Sequence, residues 1–201
     1  MQCGVVVDSY FFPIFKTHHL PNQSQQRKTI CCLNIRPAQE KDLKSLADVL
    51  VKGFPPISNW LNPILRLGVY EDIKSRLVYN LPYYNCFVAA NTCQSNDQEI
   101  VGTVEIAYRP ISIFGQCMPY ISNLTVIPNF RKQGIAHKLL ECCEQSVVEW
   151  GFKEIWLHVL ENNQAAQHLY QKRGYSISKI ETDWSNLIFQ QPKKILLYKK
   201  L

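Results

Sequence analysis

The chain has 201 residues, 46% apolar and 19% charged, with a formal net charge of +6. That composition is globular and long enough for one domain with a full core plus a short appendage, which excludes disordered and fibrous classes. The positive balance suits an anionic ligand. No dense Lys/Arg block marks a nucleic-acid partner, and no apolar run approaches the about 20 residues that cross a bilayer.

Residues 1–32 carry Lys16, Arg27 and Lys28 against a single Asp8, and include the polar run PNQSQQRKT. They are expected to be a flexible tail, or a transit sequence if the protein is plastidic, ahead of a domain spanning 33–201. Residues 33–39 read as a short strand stopped by Pro37. In 40–54, Leu43, Leu46, Ala47, Leu50 and Phe54 recur at helical spacing. Pro55, Pro56 and Pro63 predict a loop with a short helix at best, and a second helix follows through Ile73, Leu77 and Leu81. Residues 85–91 and 99–109 flank a polar turn and form a hairpin, and 118–127 add a strand that ends at Pro128.

A helix then carries Ile135, Leu139, Val147 and Trp150 on one face, with Gly151 as its stop. Residues 153–160 form a strand in which Ile155, Leu157 and Val159 face one way and Trp156, His158 and Leu160 the other. Asn163 caps a helix that Gly174 ends, and strands at 175–180 and 195–200 close the chain. The order β-α-α-β-β-β-α-β-α-β-β predicts an α+β domain, a single mixed, mostly antiparallel sheet flanked by helices.

The eight cysteines include no CxxC pair and no ligand-like spacing with the five histidines. The expectation is reduced thiols in an intracellular compartment and no metal.

The stretch FRKQGIAHKLL sets Arg131 and Lys132 before Gly134, at the mouth of a helix. A helix start offers unpaired amides and partial positive charge, and glycine lets an anion approach the main chain. This reads as a pyrophosphate cradle, with a solvated helix start as the plainer alternative. A Walker loop and a dinucleotide GxGxxG are both excluded by the residues present.

From 120 to 175 several motifs follow one another: Val126, Pro128, Phe130 and Arg131 (V-x-P-x-F-R); Arg131, Gly134 and Ala136 (R-x-x-G-x-A); and Asn163, Ala166, Tyr170, Gly174 and Tyr175. This segment strongly resembles the GNAT superfamily of acetyl-CoA-dependent N-acetyltransferases. The resemblance implies the GNAT acyl-CoA N-acyltransferase fold, with acetyl-CoA as co-substrate. The CoA pyrophosphate would rest on Gln133, Gly134, Ile135 and Ala136, with Arg131 and Lys132 beside it. The pantetheine would lie like a false strand along Leu124, Thr125 and Val126 and near Asn163, with the Tyr170 hydroxyl toward the sulfur.

Acetyl transfer needs a neutral amine, a donor for the oxyanion and a proton for the thiolate. His158 titrates in the right range for a base. The strings YIS and LHVL further resemble eukaryotic N-terminal acetyltransferases of the E and F classes, which implies shared base duty for Tyr120 and His158. Glu105 is the reserve base, its plainer role being a solvated strand residue.

The implied acceptor is a protein N-terminal α-amine, with lysine second. Residues 58–77 would form one wall of its groove, and Trp184, Leu187, Ile188 and Phe189 the other. Small amines and a non-catalytic acyl-CoA-binding regulator are the alternatives. A monomer or homodimer in the cytoplasm is expected, with no membrane or nucleic-acid partner.

Overall fold

Period-two alternation decides which side chains each strand sends to which face of the sheet. The computed structural model describes residues 30, 32–53, 62–78, 81–92, 98–111, 115–181 and 192–201. In chain order they form β1 (Leu33–Pro37), α1 (Leu43–Gly53), α2 (Asn62–Val78), β2 (Tyr84–Thr92), β3 (Gln98–Pro110) and β4 (Cys117–Val126). Then follow α3 (Ile135–Glu149), β5 (Glu154–Leu160), α4 (Gln164–Lys172), β6 (Ser176–Glu181) and β7 (Lys194–Lys200).

The seven strands make one mixed sheet in the order β1-β2-β3-β4-β5-β7-β6. Only β4 and β5 pair in parallel, joined by the α3 crossover; the other neighbours are antiparallel. One face carries Val101, Val104, Ile106, Ile121, Ile155 and Leu157 against α3 and α4. On the other, Val88, Ala90 and Ile100 pack under Leu46 and Leu50 of α1 and Ile73 of α2. Gly102 of β3 sits where β4 and α3 crowd in: a Cβ there would lie 3.0 Å from the Thr125 carbonyl oxygen and 3.3 Å from Leu139 Cδ1.

The element order predicted from the sequence is the observed one, with local differences. The first turn of the helix expected at 40–54 is a 3-10 turn, Glu40–Asp42, closed by reciprocal capping between Gln39 and Asp42. The Asp42 carboxylate also takes two hydrogen bonds from Arg36, at 2.6 and 2.9 Å. α2 starts at Asn62, well before the predicted segment. Pro63 falls in its first turn, where a missing N–H costs nothing, so the proline starts the helix that it was expected to break. Leu81 lies beyond the end of α2.

Cys32, Cys86, Cys142 and Cys143 are free thiols, but Cys117 at the start of β4 is disulfide-bonded, against the expectation of reduced thiols throughout. Sequence spacing says nothing about which cysteines a fold brings within bonding distance. The expected tail lies outside the described residues except for Ile30 and Cys32, and Ile30 packs against the core. Trp184, Leu187, Ile188 and Phe189 lie outside them as well. Among the described residues no helix is long and apolar enough to cross a membrane, and no cluster of three His, Cys, Asp or Glu could hold a metal ion.

Leu139 is 0% exposed, in the middle of α3 against the sheet. Leu139→Ala is expected to lower unfolding free energy by about 2–5 kcal/mol, by lost burial and the cavity left behind, measured by denaturant titration.

Candidate active site

The site begins where β4 leaves β5. The two strands pair only at Tyr120↔Trp156 and Ile121↔Leu157. On its other side β4 stays paired to β3, but between Glu105↔Ser122 and Thr103↔Thr125 it carries one extra residue. This β-bulge bends the strand, and Asn123 within it takes a left-handed φ of 54°. Beyond the bulge the main chain of Leu124, Thr125 and Val126 has no pairing with β5. A wedge therefore opens in the middle of the sheet.

Glu105 is the brace for that bend. It is 1% exposed and receives Tyr84 Oη at 2.9 Å and Asn123 Nδ2 at 2.6 Å, with Arg76 Nε at 3.4 Å. Burial, then the nearby carboxylate, pushes the Tyr84 phenol far up, so it remains a donor. Glu105 is thus no solvated strand residue. Both of its oxygens are engaged, and the Asn123 contact ties the carboxylate to the bulge.

At the wide end of the wedge, Pro128–Phe130 form a 3-10 turn anchored by the buried Phe130 side chain. Lys132 (φ 61°) and Gly134 (φ 80°) are both left-handed, and Gly134 is the N-cap of α3, with no side chain capping it. The first amide of this helix to find a backbone acceptor is that of Lys138, bonded to Gly134 O at 3.2 Å. The amides of Ile135, Ala136 and His137 have no backbone acceptor, as in the first turn of any helix. Apart from its chain neighbours, nothing lies within 4 Å of where a Gly134 Cβ would stand, so the space over this turn is open. Arg131 donates its Nε to Val126 O at 2.8 Å, tying cradle to strand. Gln133 Oε1 accepts from Ile30 N at 3.3 Å. Asn163 caps α4, accepting from Ala166 N at 3.2 Å.

At the narrow end the predicted pair meets: Tyr120 Oη lies 2.8 Å from His158 Nδ1. They come from neighbouring strands and project from the α1–α2 side of the sheet, opposite Ile121 and Leu157. Burial pulls the imidazole below its ordinary value near 6.5; Glu181 opposes this, while Lys194 and Arg109 add to it. Tyr170 of α4 comes from the other side. Burial first, then Tyr120 and Cys143, push its phenol well above the ordinary range, so it holds its proton at neutral pH.

Two neighbours escaped the sequence reading. Glu181, at the end of β6, places Oε2 3.2 Å from His158 Nε2, off the line of a straight hydrogen bond. The Arg109 guanidinium carbon sits 4.0 Å from the centre of the Tyr120 ring. Alternation from Glu105 through Ala107 puts Arg109 on the same face, a signal that was available; nothing local marks Glu181.

The model of the acetyltransferase (GNAT) family matches residues 54–175. The chain belongs to this family. GCN5-related N-acetyltransferase 10, chloroplastic, of Arabidopsis thaliana is 27% identical over 143 residues, which cover 64% of this chain and 56% of that protein. The chain thus spans only about half the length of this curated relative. PaiA N-acetyltransferase of Thermoplasma acidophilum, in complex with coenzyme A, has TM-score 0.63 and 19% identity, covering 85% of this GNAT chain and 99% of its own. The NatC complex bound to Gag peptide and CoA includes a chain with TM-score 0.59 and 18% identity, covering 84% of this chain and 98% of that one. These likenesses establish the GNAT fold.

With its folded pKa lowered, His158 binds its proton less readily than in the unfolded chain. Its contribution to stability is therefore complete above about 6.5 and falls as pH drops through the folded value. An NMR titration of the imidazole is expected to give a midpoint below 6.5, among Glu181, Lys194, Arg109 and Tyr120 as its charged and titratable neighbours.

Proposed function

We propose that this chain is an acetyl-CoA-dependent N-acetyltransferase acting on primary amines, foremost protein N-terminal α-amines, with lysine side chains as second acceptors. The observation that carries the proposal is the wedge between β4 and β5, with an open, uncapped helix start at its wide end and a Tyr–His pair at its narrow end. An extended chain with an anionic head and a reactive tip fits such a wedge, and acetyl-CoA has that form and supplies the acetyl group as a thioester.

In this reading the amides of Gln133, Gly134, Ile135 and Ala136 take the pyrophosphate, and the exposed Lys132 adds charge beside them. The unpaired edge of Leu124, Thr125 and Val126 takes the amide groups of the pantetheine, and the amide near Val126 faces the oxyanion. Arg131 keeps cradle and strand in register, and Asn163 holds the start of α4 beside the same arm. Tyr120 and His158 remove the proton that keeps an amine from attacking. The lowered basicity of His158 leaves it neutral, and so able to accept, at neutral pH. Tyr170, protonated across the same range, donates to the departing thiolate.

The Tyr120–His158 pair supports turnover over passive binding, since a regulator needs no base. A NatC complex that contains a chain of the same fold is bound to a peptide, which supports a peptide acceptor over a small amine. A plastid location is supported by the chloroplastic designation of the Arabidopsis relatives, and import of a fluorescent fusion tests it.

The test is incubation of the chain with acetyl-CoA and peptides having free N-termini and internal lysines, with acetyl groups mapped by tandem mass spectrometry. Label on α-amines is expected. Label on small amines alone rejects the acceptor, and no label with acetyl-CoA bound rejects the enzyme. His158→Ala is expected to lower kcat by about 10²–10⁴-fold, the usual worth of a positioned base, and Tyr170→Phe to lower kcat with little change in the acetyl-CoA KM.

A further inference from the structure

We propose that Glu181 is a positioning residue that directs a proton relay, Tyr120 to His158, so that the Tyr120 oxygen and not the imidazole meets the acceptor amine. This rests on the acetyltransferase reading above.

The argument starts from the two ring nitrogens. A neutral imidazole has one N–H donor and one lone pair, and an ionised carboxylate only accepts. Glu181 Oε2 stands 3.2 Å from Nε2, so the tautomer it favours has the proton on Nε2 and the lone pair on Nδ1. Nδ1 is 2.8 Å from Tyr120 Oη, which makes the phenol the donor of that hydrogen bond. Nε2 is sealed from solvent and faces the carboxylate. Nδ1 is therefore taken by the phenol, and Nε2 lies buried beside the carboxylate without a hydrogen-bond partner, so neither meets an amine. A phenol that donates its proton to Nδ1 still accepts at its oxygen.

The same logic orients the imidazole of a serine-protease triad, where a carboxylate fixes the tautomer and stabilises the imidazolium that forms. Arg109 assists from the other end: a cation 4.0 Å from the Tyr120 ring centre offsets negative charge as the phenol proton leaves.

The proton count closes. An ammonium R–NH3+ gives one proton to Tyr120 Oη as the tyrosine's own proton passes to Nδ1, leaving R–NH2, a neutral tyrosine and an imidazolium opposite Glu181. The amine then forms the C–N bond as the C–S bond breaks; Tyr170 gives its proton to the thiolate sulfur and regains one from the amine's second proton. The imidazolium returns its proton through Tyr120 to water, so each turnover releases one proton.

Steady-state kinetics on the full chain, with acetyl-CoA and an acceptor peptide, test this with Glu181→Gln, Glu181→Asp, His158→Ala and Tyr120→Phe. Glu181→Gln is expected to lower kcat about tenfold to hundredfold. That is less than the about 10⁴ lost with a fully buried triad carboxylate, because the Glu181 side chain is 31% exposed. The acetyl-CoA KM should stay within about twofold. The acidic limb of the kcat–pH profile should move to lower pH, since the carboxylate opposing Lys194 and Arg109 at the imidazole is gone. Glu181→Asp should recover part of the rate.

Nitrogen-15 NMR of the histidine-labelled wild-type chain, which needs no variant to fold, should find His158 protonated at Nε2. A proton on Nδ1 overturns the relay. So does an unchanged rate and limb in Glu181→Gln while His158→Ala and Tyr120→Phe are inactive, and in that case the acetyltransferase reading stands. If peptide acetylation survives in both His158→Ala and Tyr120→Phe, the base assignment falls, and the relay with it.

Discussion

The parallel pairing of β4 with β5 ends after two residue pairs, and the site exists because it ends there. A sheet interior normally spends its backbone polar groups on neighbouring strands, and leaving one buried and unmet costs about 1–3 kcal/mol. Here the open edges are confined to the stretch beyond the bulge. The rest of the fold keeps it open: α3 packs over the seam through Leu139 and Leu140, Phe130 anchors the turn beyond β4, and the Glu105 cluster sets the bend at Asn123.

Two carboxylates flank this seam and their surroundings divide their roles. Glu105 is buried among Tyr84, Asn123 and Arg76, and its oxygens are spent on holding backbone shape. Glu181 is partly exposed and faces one buried imidazole nitrogen, so its charge acts on a ring whose basicity burial lowers. On sequence alone Glu105 lies inside a predicted strand and attracts notice, whereas Glu181 follows the predicted strand at 175–180 and does not. What separates them is what lies across from them, which depends on strand order.

The same distinction governs what was legible beforehand. Elements with strong periodicity, such as α3 with Ile135, Leu139 and Val147, are read directly, because burial of one face is a local pattern. The cradle and the meeting of Tyr120 with His158 came through motif resemblance in consecutive elements. α2 is longer than its periodicity alone predicts, because Pro63, a breaker within a helix, serves as a starter at its first turn. Arg109 and Glu181 lie far along the chain from the groups they touch, on β3 and β6, and no local spacing signals contact across strands whose register is unknown.

The short seam also has a mechanical meaning. Four strands, β1-β2-β3-β4, form one antiparallel leaf, and β5-β7-β6 form another. The leaves share only two residue pairs across the strands, and the core packed under α3 and α4 joins the rest. Tyr120 and His158 sit one on each leaf, and their bond crosses the seam. A molecule wedged between the leaves would act as a splint, stiffening the whole sheet and holding that pair at working distance in one act.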